Sequence, residues 1–110
     1  MNRAAAPLYT DTFRLCEWLL ERFEADPGLL PGRILETGLD LHRGVCIALK
    51  SPVPEDLVEV ADEDLIALRT YLRLAQSRGL LSEDQLLHAL ECADGIGRQL
   101  GGWLRSLQGG

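Results

Sequence analysis

The chain reads as an all-α protein, an up-down antiparallel four-helix bundle forming one domain over residues 1–110. Three observations predict this. Aromatic residues make up only 5% of a composition that is 46% apolar, so the core is built mainly from leucine. No run of alternating β-branched residues marks a strand. Clusters of proline and glycine cut the chain into four segments, each with apolar residues at helical spacing.

The first helix is expected over residues 10–25, with the stripe Leu8, Leu15, Cys16, Leu19 and Phe23, stopping before Asp26-Pro27-Gly28. The second, over 32–50, opens near Pro31-Gly32, since proline is tolerated in a first turn. It carries Ile34, Leu35, Leu41, Val45 and Leu49 and ends at Ser51-Pro52. The third, over 54–78, starts with acids and closes before Gly79, a C′ glycine. Its core stripe is Leu57, Ala61, Leu65, Leu68, Leu72 and Ala75. The fourth, over 82–107, opens with the capping box Ser82-Glu83-Asp84-Gln85. Short connections force neighbouring helices antiparallel.

Two helices carry more than one face. In the third, Val60, Ala67, Tyr71 and Leu74 widen the apolar arc to about half the circumference, more than a peripheral bundle helix needs. An oligomer or partner interface explains the excess, and so does deep insertion in an irregular bundle. In the fourth, GIGRQLGGWLRSL places four glycines inside a helix, where each costs about 1 kcal/mol relative to alanine. At about 100° per residue, Gly97 falls on the core stripe with Ala89, Ala93, Ile96, Leu100, Leu104 and Leu107, and Gly101 at its edge. That small-residue ridge lets a neighbouring helix come close. Gly95 and Gly102 fall on the opposite side, near Arg98 and Arg105. Nothing within one bundle requires bare backbone there. Fraying near the end of the chain accounts for them, or a surface pressed against another molecule.

The formal charge is −6 and the pI about 4.8, a poor overall match for nucleic acid. The charge is uneven. Six acids and no base lie between Glu55 and Asp64, whereas Arg69, Arg73 and Arg78 follow with no acid before Leu81. This order also suits the dipole of one helix. Three cysteines without a C-x-x-C pair point to a reducing cytoplasm. No signal peptide is expected from MNRAAAPLYTDTF, and no apolar run reaches the ~20 residues that cross a bilayer.

Chemistry-bearing constellations are sparse. His42 and Cys46 are four residues apart, as are His88 and Cys92, so two pairs could supply a tetrahedral zinc site. Cys46, however, falls on an apolar flank beside Leu35 and Leu39, and His88 on the polar side of its helix, so neither a metal nor another cofactor is expected. No Ser/His/Asp arrangement, phosphate loop or H-E-x-x-H motif is present, and no enzyme activity is expected. Arg14, Trp18 and Arg22 recur every four residues off the main stripe, a solvated helix edge or a stacking surface for bases. Arg69 and Arg73 share one helical face, and Arg98 and Arg105 another. The planar guanidinium suits phosphate and carboxylate recognition.

"LRTYLRLA", "GLLS" and "GRQLGGWLRS" in the second half, with "FRLCEWLLERF" and "GRILETGLDL" in the first, resemble one four-helix-bundle family. That family includes Avd, the accessory variability determinant of diversity-generating retroelements, and proteins encoded in intervening sequences of bacterial 23S ribosomal RNA genes. The resemblance runs from about Leu8 to Leu107. It implies a ring-like homopentamer and, in the Avd branch, a non-enzymatic subunit that binds a reverse transcriptase and nucleic acid during mutagenic reverse transcription. Arg69, Arg73, Arg98 and Arg105 are the candidate contacts to RNA, complementary DNA or the polymerase, followed by Arg43 and Arg78. Val60, Tyr71, Leu74, Gly95 and Gly102 are the candidate oligomer interface. Avd-like chains tend to be basic, and this one is acidic. The intervening-sequence branch offers the alternative, a structural or regulatory scaffold that binds protein rather than nucleic acid.

Overall fold

The computed structural model describes residues 6–109. They form four α-helices and no strand: α1 (Ala6–Phe23), α2 (Leu29–Lys50), α3 (Glu55–Ser77) and α4 (Glu83–Gln108). Each helix packs against the next, and α1 closes the bundle against α4, in a rod of 45 × 21 × 20 Å.

Local chemistry sets most of the boundaries. α1 begins at Ala6, four residues before the expected start at Thr10, because Pro7 in the first turn forfeits no intrahelical hydrogen bond. α2 likewise begins at Leu29, ahead of Pro31. Between them the Gly28 N–H donates to Asp26 Oδ1 (2.9 Å), a side-chain turn. α3 ends in a Schellman motif. Gly79 takes a φ of +80°, its N–H donates to Gln76 O, and the Leu80 N–H donates to Ala75 O. The capping box of α4 forms as its sequence requires. Ser82 Oγ accepts from the Gln85 N–H (3.1 Å), and the Ser82 N–H donates to Gln85 Oε1 (2.8 Å).

The core is a leucine-rich column in which Leu8, Leu15, Leu19 and Phe23 of α1 meet Ile34, Leu41 and Val45 of α2. Leu65, Leu68 and Leu72 of α3 and Ile96 and Leu100 of α4 complete it. Two expectations are corrected, and one core position had not been foreseen. Val58 rather than Leu57 fills the first core position of α3, and Leu57 is half-buried. Leu35 and Leu49 flank the core of α2 instead of lying in it. Gly38 is a core residue in its own right. A Cβ there would lie 2.6 Å from Leu19 Cδ1, so α1 and α2 approach as closely as they do because α2 is bare at that point. No helix is long and apolar enough to cross a membrane among the described residues.

Candidate functional site

The arginine and glycine positions converge on α3 and α4, in an arrangement that angular placement alone did not reveal. Gly97 faces α3, where a Cβ would meet Leu65 Cδ2 at 3.4 Å and the Arg69 guanidinium at 3.0 Å. Arg69 lies across the gap, donating to Ala93 O (3.3 Å) and to Asp94 Oδ1 (2.9 Å). Its pairing with Asp94 is the one salt bridge among the described residues. Arg69 is thus occupied inside the protomer, holding α3 to α4. Arg73, Arg98, Arg105, Arg43 and Arg78 are exposed and form no salt bridge among the described residues.

Gly95, Gly101 and Gly102 meet nothing from another helix. The atom nearest a Cβ at each belongs to an arginine of α4 itself, Arg98 over Gly95 at 3.8 Å and Arg105 over Gly101 and Gly102 at 3.4 and 3.7 Å. The two guanidinium groups lie along bare backbone. The glycine pair expected at an interface is half-buried, with the side chains of Arg98 and Arg105 beside it.

The second face of α3 is open. Val60 is 52% exposed and Leu74 48%, with Ala67 and Tyr71 half-buried between them. The seven-residue spacing of Val60, Ala67 and Leu74 keeps them in one line along the helix. On the α2 side, a Cβ at Gly44 would lie 3.8 Å from that of Ala61, and exposed Ile47 follows Gly44 by three residues along α2. Asp64 sits on the same flank. Its carboxyl is pushed above the ordinary range by burial, then by the charges of Asp40 and Glu63.

Two further clusters flank α1. On one side Trp18 is half-buried against the His88 ring, with centroids 5.5 Å apart, and Arg22 lies 4.8 Å over the indole. Trp18 is therefore the floor of a groove between α1 and α4 rather than an exposed stacking platform. This cavity, about 420 Å³, is lined by Asp11, Arg14, Trp18, His88, Glu91 and Cys92. On the other side exposed Tyr9 and Phe13 enclose His42, which contacts Thr12 and Cys46. This aromatic cluster had no signature in the sequence, because it depends on α1 and α2 meeting in one register. The pairs His42–Cys46 and His88–Cys92 lie on opposite flanks of α1, so the four do not meet in one tetrahedron. Among the described residues, no three His, Cys, Asp or Glu side chains gather as metal ligands.

Comparison with protein-family models, curated proteins and solved structures finds no match for the chain.

Proposed function

We propose that the protein is a non-enzymatic, cytoplasmic accessory subunit that assembles with copies of itself and engages a reverse transcriptase together with its template RNA or complementary DNA. The observation that carries this reading is the apolar line on α3 in which exposed Val60 and Leu74 flank half-buried Ala67 and Tyr71, a continuous stripe of the kind that marks an interaction surface. The resemblance of "LRTYLRLA" and "GRQLGGWLRS" to Avd-like proteins supplies the kind of partner. Arg73, Arg98 and Arg105 supply cations for phosphate or carboxylate, with Arg43 and Arg78 at the margins. Three free cysteines suit a reducing compartment.

Light scattering on the purified protein tests the assembly. Wild type is expected as a closed oligomer, and Val60→Glu/Leu74→Glu as a folded monomer. A wild-type monomer at micromolar concentration overturns the reading. A mobility shift with single-stranded RNA at low salt tests the nucleic-acid part, comparing wild type with Arg98→Glu/Arg105→Glu. Binding that is absent, or unchanged by the substitutions, removes these arginines from the contact.

A second reading has an observation of its own. Arg69 is neutralised by Asp94, and the chain carries −6 overall, which favours a protein partner over nucleic acid. An oligomer that binds neither RNA nor a reverse transcriptase would favour the intervening-sequence type of scaffold.

A further inference from the structure

The open side of α3 has an order that suits one partner in particular. Leu57, Val60, Asp64, Ala67, Tyr71 and Leu74 follow one another at alternating steps of three and four residues, the spacing by which one α-helix meets another along its length. Val60 and Leu74 are exposed and the other four half-buried, so no helix of the protomer covers the strip fully. Asp64 is the one charged residue within it. Burial, then the charges of Asp40 and Glu63, push its carboxyl above the ordinary range, and it forms no salt bridge among the described residues.

Charge along α3 is also polarised end to end. Glu55, Asp56, Glu59, Asp62 and Glu63 precede Asp64, whereas no acid follows before Leu81, and Arg73 and Arg78 are exposed there. A second copy of α3 laid parallel would set Asp64 against Asp64 and one run of acids along the other, which is unfavourable. Laid antiparallel, it brings the acids of each copy beside the acid-free half of the other and opposes the two helix dipoles. The register follows from the same strip. Asp64 with Ala67, Val60 with Tyr71, and Leu57 with Leu74 share one midpoint, so a single two-fold axis there gives every member a counterpart. Helical side chains lean toward their own N-terminus, so Tyr71 of one copy, set against Val60, carries its hydroxyl toward Asp64. We infer that α3 pairs antiparallel with α3 of a second copy about this axis, the Tyr71 hydroxyl of each donating to the Asp64 carboxylate of the other. The inference rests on the proposed self-assembly and adds its surface, polarity and stoichiometry, because a contact of this symmetry closes with two copies.

Disulfide trapping tests the polarity. In a Cys46→Ser/Cys92→Ser background, Val60→Cys and Tyr71→Cys are made separately and oxidised with glutathione, each alone and as an equimolar mixture. The two Val60 positions of an antiparallel pair stand roughly 16 Å apart, beyond the reach of a disulfide. The mixture is therefore expected to give a covalent dimer, and Val60→Cys alone at least tenfold less. Circular dichroism checks folding, and Leu57→Cys mixed with Leu74→Cys supplies a second pair should one of the first variants fail to fold. Light scattering on wild type is expected to give the mass of two chains. Val60→Cys trapped with itself, mixtures that do not cross-link, or a wild-type assembly of more than two chains overturns the inference and leaves self-association standing. A wild-type monomer removes the reading on which it rests.

Discussion

A methyl group added to Gly38 would sit 2.6 Å from Leu19 Cδ1, and Leu19 is itself fixed in the column of buried leucines. Overpacking of this kind costs about 1–3 kcal/mol, while the gain in helix propensity returns about 1 kcal/mol. Gly38→Ala is therefore expected to lower stability, by up to about 2 kcal/mol, in a urea titration. Gly32, on the same helix, meets nothing within 4 Å, so Gly32→Ala is expected to raise stability by about 1 kcal/mol. Opposite signs on one helix would confirm that close approach, not backbone flexibility, is the role of Gly38. Two titrating groups set opposing trends with pH. Burial holds His42 below its ordinary value, so the stability it contributes is present above pH 6.5 and lost as pH falls through the folded value. Burial and then the charges of Asp40 and Glu63 raise Asp64, so its contribution is present below pH 3.8 and lost as pH rises through the folded value. At pH 7 the ionised Asp64 is thus unfavourable. Asp64→Asn is expected to raise the melting temperature at neutral pH and to leave it unchanged below pH 3.8; a lower melting temperature at pH 7 would show that the carboxylate has a partner it needs.

At the scale of the helix, α4 carries its glycines for two different reasons, and substitution can separate them. Gly97 meets α3 through Leu65 and Arg69, whereas Gly95 and Gly102 meet only arginines of their own helix. Gly95→Ala/Gly102→Ala is expected to stabilise the isolated bundle by roughly 2 kcal/mol, about 1 for each glycine. If a neighbouring copy needs bare backbone there, the same variant assembles more weakly, so denaturation and light scattering move in opposite directions. Gain in both would release these glycines from any interface. The caps of α4 and the turn after α3 were legible in the sequence because the Ser82–Gln85 exchange and the Gly79 turn are chemistry within six residues. The tie from Arg69 to Asp94 was not, because 25 residues separate the partners and only the register of α3 on α4 brings them together. The choice of Val58 over Leu57 was hidden for a related reason. Both fit a helical stripe, and α2 and α4, not α3, decide which one faces inward. The thiol of Cys16 also depends on a partner helix. It donates to Gly38 O at 3.2 Å, and burial followed by Cys46 pushes its pKa up to about 11.

Over the whole molecule, apolar surface and charge make opposite demands on salt. Each copy carries −6, so copies that meet through Val60, Leu74 and their neighbours must do so against mutual repulsion. Added salt screens that repulsion over a Debye length of about 8 Å at physiological strength and also strengthens apolar burial. Contact between exposed arginines and a phosphate backbone behaves the other way, since each neutralised phosphate releases a counterion and affinity falls as salt rises. The two halves of the proposed function therefore separate along one axis. Between 50 mM and 200 mM salt, self-association is expected to tighten or hold, while RNA binding through a few arginines falls by at least tenfold. Association that stabilises only the folded state also makes the melting temperature rise with protein concentration, and more so at high salt. If assembly instead dissolves as salt rises, the contact between copies is ionic. The arginines that lie over Gly95, Gly101 and Gly102 would then pair with a neighbour's acids and would not be free for nucleic acid.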